Sequence, residues 1–328
     1  MPIRIYTSLE ELLPCGKSAV ALGYFDGLHA GHAAVISRAV AKAEEALCPC
    51  VFTFTVKGGH PKAKPQDSEI TTESQKRSLL EQWGVRLVLE PDFSEFQQMP
   101  PEEFVEEVLL RRMHAAVVCC GTDFRFGHRA SAGVDELAVL CRDRKIALEV
   151  VPPVTYEGER VSSTRIRALL EDGRVEQANV LLGRPFAYDF PVAHGRQLGR
   201  KLDFPTINQA IPREFVKLRR GVYASVTFAQ GEFYPSVTNI GIRPTVDDHQ
   251  PVTSETSIFG FSGDLYGQKV EVRLLKFLRA EKRFPSVQAL REQIAADSAA
   301  ALPIGRSYLD GEANYGRIGT LQSAHTML

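Results

Sequence analysis

No window of the sequence approaches the roughly 18 consecutive apolar residues of a membrane-crossing helix, and the opening stretch MPIRIYTSLEELLP has no apolar run of signal-peptide length. The expectation is a cytoplasmic chain with no membrane partner. Charge of one sign is missing too: 39 Lys and Arg stand against 40 Asp and Glu, a formal net charge of −1. Such balance gives no broad field for nucleic acid, so any anion must be held locally, by loops and helix ends. Cysteine is sparse, six in 328 residues, at Cys15, Cys48, Cys50, Cys119, Cys120 and Cys141. No second pair completes either the C-x-C or the adjacent pair, so these read as core or surface thiols rather than zinc ligands. What is present, 44% hydrophobic and 24% charged residues, is the composition of a globular protein long enough for two domains.

Up to about residue 182, short β-branched runs alternate with amphipathic stretches. The pattern predicts strands at 18–22, 50–56, 85–89, 116–120 and 146–151, and helices at 31–47, 72–83, 101–114, 134–144, 163–170 and 175–182. This alternation implies an α/β fold, a parallel sheet with helices on both faces and a ligand crevice at the carboxyl ends of its strands. Beyond Gly183-Arg184-Pro185 the rhythm changes to strand-like runs at 191–193, 222–228, 233–240, 255–261 and 269–278, with one helical stretch at 286–301. A β-barrel with one packed helix is expected there. The domains are drawn at residues 1–184 and 185–328, and the pattern assigns no structure to the tail beyond about Pro303.

Two segments of the first domain suit phosphate. Val20 to His32 runs from a buried strand through Gly23, Phe25, Asp26 and Gly27 into a helix, where backbone amides can approach a ligand closely and the helix start offers unpaired N–H groups. His29 and His32, separated by Ala30 and Gly31, share one face of such a helix start and can both reach one polyphosphate. Arg160 to Arg167 forms a second strand-to-helix junction, with Ser163 and Thr164 at the helix start and Arg160 and Arg167 beside it. Hydroxyls there cap the helix and bond phosphate, and arginine grips phosphate with two prongs.

A third segment lies in the second domain. Gly195, Gly199 and Arg200 make a flexible basic loop that leads through Phe204 to Thr206 and Asn208. On an extended chain the last two point to the same side, where two hard oxygens can address one Mg²⁺ ion. Glu255 opens a later apolar run, and a carboxylate there can take a proton from an attacking hydroxyl.

Taken together these motifs resemble the bacterial bifunctional riboflavin kinase/FMN adenylyltransferases, or prokaryotic-type FAD synthetases. Gly23 to His32 is similar to their G-x-F-D-G-x-H-x-G-H signature, Gly121 to Gly127 to the G-x-D-F-R-F-G loop, and Ser162 to Arg167 to S-S-T-x-I-R. In the second domain, Gly195 to Asn208, Gly221-Val222-Tyr223, Asn239 to Thr245, Glu255, Leu265-Tyr266-Gly267 and Arg279 to Phe284 follow the kinase pattern in order.

The resemblance implies that His29 and His32 hold ATP phosphates and stabilise charge on the α-phosphate, with Arg160, Ser163 and Arg167 on the triphosphate. Asp123 would lie beside the transfer site and Phe54 would wall the flavin or nucleotide pocket. Thr206 and Asn208 would bind Mg-ATP, Glu255 would activate the riboflavin 5′-hydroxyl, and Arg279 would lie near the flavin. Magnesium, ATP, riboflavin, FMN and FAD are thus the implied cofactors and reactants, all small molecules; the sequence does not fix the oligomeric state, a monomer or weak oligomer. The sequence departs from the family at Tyr24, where Asn is common, at the displaced His60-Pro61, and at Asp203, which replaces a Gly. Two alternatives stay open: retention of one activity alone, and a catalytically silent flavin sensor.

Overall fold

The computed structural model describes residues 2–11, 16–56, 68–194, 204–242 and 252–311. Of these, 2–11, 16–56 and 76–162 form one compact unit, and 68–75 together with 163–311 form another.

The first unit holds a six-stranded sheet in the order β1-β4-β3-β2-β5-β6, all neighbours parallel. Its strands are β1 (Arg4–Tyr6), β2 (Ser18–Leu22), β3 (Cys48–Phe52), β4 (Leu87–Leu89), β5 (Ala115–Gly121) and β6 (Ala147–Val151). Between them run α1 (Ala30–Ala41), α2 (Glu73–Gln82, in this unit from Lys76 on), α3 (Pro101–Glu103, continued as a π-helix over Phe104–Arg112) and α4 (Val134–Asp143). Strand side chains point alternately to opposite faces, and here both faces are covered. Val20, Leu22, Cys50 and Phe52 pack with Phe104, Val108 and Leu137 of the π-helix and α4, whereas Ala19, Ala21, Val51 and Val88 pack with Val35, Ile36 and Leu80 of α1 and α2. Double coverage explains why β2 is buried at every position, as parallel strands between two helical layers are. A short hairpin, β7 (Thr155–Tyr156) with β8 (Glu159–Arg160), follows the sheet.

The second unit begins with α5 (Ser163–Glu171) and α6 (Val175–Leu182) and is dominated by an antiparallel sheet in the order β10-β11-β14-β13-β12-β15-β9. The strands are β9 (Phe186–Tyr188), β10 (Val192–Ala193), β11 (Ile207–Ile211), β12 (Gly221–Ala229), β13 (Glu232–Ile242), β14 (Val252–Ile258) and β15 (Val272–Ala280). The two ends of this order are consecutive pieces of one stretch: β9 pairs with β15 and, a few residues on, β10 pairs with β11. That stretch closes the sheet on itself, which leaves no open edge. Helix α7 (Val287–Leu309), capped by Ser286, packs on β12, β13 and β15. The barrel lumen is lined by hydroxyls, with Ser225 bonded to Ser236 and Thr238 at 2.8 Å, Thr238 to Thr256 at 2.9 Å, and Tyr188 to Ser254 at 2.6 Å.

Several elements differ from the sequence reading. The helix expected at 101–114 is mostly a π-helix, closed by a bond from the Met113 amide to the Val108 carbonyl. Strands β1 and β9 carry no three-residue alternation long enough to betray them. Helix α7 continues through Pro303 to Leu309 because its face is held by tertiary packing, with Ala301 and Gly305 buried. Glu255 lies in the middle of β14, not at its start.

Candidate active sites

In the first unit the order of strands reverses at β2, which has β3 on one side and β5 on the other. Ligands of open parallel sheets bind at the carboxyl ends of the strands at such a switch point. The turn that leaves β2 there is left-handed at Phe25 (φ 53°), Gly27 (φ 81°) and Leu28 (φ 41°). Two of these are not glycine, so the turn stores backbone strain that its surroundings must hold. Phe25 folds back over Gly23, where a Cβ would lie only 2.9 Å from the phenyl ring. His29 is the N-cap of α1, its Nδ1 accepting from the His32 amide at 3.3 Å. A ring accepting at Nδ1 carries its proton on Nε2. The two imidazoles stack with centroids 3.6 Å apart, and Phe25 meets His32 edge-on at 5.3 Å. Gly31 makes the stack possible, since a Cβ there would lie 3.1 Å from His29 Cε1. Asp26 and His29 are both buried.

At the carboxyl end of β5, Asp123 forms an ion pair with Arg160, Oδ2 to Nη2 at 2.7 Å. A file of aromatic rings gathers around Phe54, just after β3. Tyr24 stands 4.9 Å from Phe54, Phe54 5.3 Å from Phe93 and 5.6 Å from Phe96, and Phe96 5.4 Å from Phe52. Phe93 and Phe96 escaped the sequence reading; their spacing just after a strand was the available signal. Ser163 starts α5, Thr164 follows, and Arg167 donates from Nε to the Ser68 carbonyl at 2.7 Å, all within the second unit.

In the barrel, strand register assembles what the sequence scatters. Asn208 of β11 pairs with Glu255 of β14, Glu255 with Asn239 of β13, Asn239 with Val222 of β12, and Val222 with Arg279 of β15. Directly paired residues share a face, so this row of five lies on one side of the sheet. Asn208 is buried, while Glu255 and Asn239 are half-buried. Thr206 and Phe204, both half-buried, lie just ahead of β11. Asn239 was not singled out as a site residue, nor was Glu281, whose Oε1 lies 2.3 Å from where a Gly241 Cβ would be. Arg279 is engaged with α7: Nε and Nη2 bond the buried Asp297 carboxylate at 2.9 and 2.6 Å. Gly195, Gly199, Arg200 and Asp203 lie outside the described residues, as does His60-Pro61.

Among the described residues no group of three His, Cys, Asp or Glu could hold a metal. The Thr206 hydroxyl and Asn208 carboxamide are nevertheless hard, neutral oxygen donors, which suits magnesium, an ion that keeps phosphate oxygens and water among its ligands.

Residues 14–165 match the FAD synthetase family and residues 182–304 the riboflavin kinase family. The bifunctional riboflavin kinase/FMN adenylyltransferase of Bacillus subtilis (strain 168) is 34% identical over 294 residues, 87% of this chain and 92% of its own length. That of Pseudomonas fluorescens is 34% identical over 311 residues, 91% of this chain and 97% of its own. The chain belongs to the bifunctional riboflavin kinase/FMN adenylyltransferase family. As a member of that family it is an enzyme of FAD biosynthesis via FMN. A solved structure described as a macrolide-efflux protein from Streptococcus pneumoniae is similar at TM-score 0.82 and 29% identity, covering 92% of this chain and 99% of its own. Among the described residues no helix is long and apolar enough to cross a membrane.

Proposed function

We propose that residues 185–328 phosphorylate riboflavin with ATP and that residues 1–184 adenylylate the resulting FMN, in a cytoplasmic enzyme whose partners are small molecules. The observation that carries this reading is how the motif residues are grouped: the neighbouring His29 and His32 stack at the switch point, and Asn208, Glu255 and Asn239, far apart in sequence, meet as one row across the barrel.

In the kinase step Glu255 takes the proton of the riboflavin 5′-hydroxyl as its oxygen attacks the γ-phosphorus, the bond from that phosphorus to the β,γ-bridging oxygen breaks, and ADP leaves. Asn208 and Asn239, one strand away on either side, hold and orient the groups around that carboxylate. Magnesium enters with ATP as substrate, Thr206 and Asn208 would hold it, and it supplies positive charge to the transferring phosphates.

Adenylyl transfer needs no enzyme nucleophile, because the FMN phosphate attacks the α-phosphorus and pyrophosphate leaves in line. The protein contributes position and electrostatic stabilisation. His29 offers its Nε2–H, and His32, stacked on it, faces the same phosphate group. Phe54 and its aromatic neighbours give the flavin ring an apolar wall. Asp123 keeps Arg160 aimed at the same crevice. The resemblance also assigns Ser163 and Arg167 to the triphosphate.

The test is incubation with riboflavin, ATP and magnesium followed by chromatography of the flavins. His32→Ala is expected to form FMN but no FAD, and Glu255→Ala to form FAD only when FMN is supplied. Accumulation of neither product by the wild type would overturn the assignment, and loss of both steps in either folded variant would overturn the division into two sites.

A further inference from the structure

The left-handed turn that carries the histidines is tied to the sheet by a buried polar chain. Thr53, directly after β3, donates from Oγ1 to the Tyr24 carbonyl at 2.8 Å. Its one hydroxyl proton is thereby used, and its lone pair accepts from Lys76 Nζ at 3.0 Å. Lys76 in turn donates to Glu90 Oε1 at 3.0 Å, directly after β4. Thr53 is fully buried, the Glu90 side chain is 4% exposed and that of Lys76 13%. The Lys76 ammonium also lies 5.5 Å from the centre of the Tyr24 ring. Lys76 thus donates to Glu90 on one side and to Thr53 on the other, Thr53 donates onward to the Tyr24 carbonyl, and the chain spans the carboxyl ends of β4, β3 and β2.

A buried ion pair is by itself weak evidence for stability, since desolvation offsets much of its attraction. Its better-attested use is to specify one arrangement. Here the fixed atom is the carbonyl one residue before Phe25, where the left-handed turn begins. Four residues beyond Phe25 stands His29. We infer that Thr53, Lys76 and Glu90 are positioning residues for adenylyl transfer, which hold the strained turn so that His29 and His32 meet the phosphates. The inference rests on the reading that those histidines act in FAD formation.

Thr53→Val keeps the volume and the Lys76–Glu90 pair but removes the link to the Tyr24 carbonyl. The expected result is a fall in kcat for FAD formation of roughly tenfold or more, larger than any change in KM for ATP, because a small misplacement of catalytic groups is costly. FMN formation by the same protein should be unchanged, and Thr53→Ser should restore the rate.

The double variant Lys76→Met/Glu90→Gln removes the pair without leaving a buried charge alone, and is expected to fold and to show the same loss; it decides the matter if Thr53→Val does not fold. Wild-type kcat in either folded protein, or an equal fall in both activities, would overturn the inference. His32→Ala, run in parallel, separates the two readings. If it keeps FAD formation, the histidine assignment fails; if it abolishes FAD formation while Thr53→Val is unaffected, only the positioning role fails.

Discussion

At Gly31 an added methyl group would lie 3.1 Å from His29 Cε1 and 3.2 Å from its Nδ1, close enough to push the ring away from His32. Gly31→Ala is therefore expected to lower FAD formation by roughly tenfold with FMN formation intact, read by the same flavin chromatography. The thiols behave as core groups. Burial pushes Cys119 and Cys120 up from an ordinary 9.0 to about 12, and Cys141 to about 11. At pH 8 a thiol of pKa 12 is thiolate in only about one molecule in ten thousand, so these three should resist thiol reagents in buffer and react in denaturant. Because folding raises these values, the stability they confer is complete below pH 9 and is lost as pH rises through about 11 to 12; urea titrations across that range should show it.

Among the elements, β12 starts at a residue only glycine can occupy. Gly221 has φ 147°, and a Cβ there would lie 2.2 Å from the Arg279 carbonyl of the neighbouring β15. Backbone cannot yield as a flexible side chain can. Gly221→Ala should cost roughly 2–4 kcal/mol, measured by denaturant unfolding, and should weaken the kinase because the β12–β15 pairing carries one end of the Asn208–Arg279 row. The lumen shows a second device. Ser225, Ser236, Thr238, Ser254 and Thr256 are fully buried yet bonded to one another, so β12, β13 and β14 cannot slip by a residue without burying unpaired hydroxyls. The register that brings Glu255 between two asparagines is fixed in this way.

For the whole molecule, the proposed division gives the two ATP-consuming steps separate residues and links them through FMN. An equimolar mixture of His32→Ala and Glu255→Ala should therefore convert riboflavin to FAD, although neither variant does so alone. FMN released by the first becomes substrate for the second. Failure of the mixture, with each single activity verified, would mean that FMN does not pass freely between molecules.

The sequence by itself determined the fold class, because alternating hydrophobic periods of two and 3.6 dictate a parallel α/β layer followed by an antiparallel one. It also determined the position of the His29–His32 pair, since that spacing on a helix start leaves no freedom of face. Local signals reach only a few residues, however, and three decisions needed the folded chain. Asn239 joins Glu255 and Asn208 only through strand register, which depends on pairing across long stretches of sequence. The helical pattern ends at 301, yet α7 passes through Pro303 because packing against the barrel outweighs the hydrogen bond that proline loses. No local signal singles out Lys76 or Glu90; only the packing of α2 at the ends of β3 and β4 buries them and turns them toward the loop that carries the histidines.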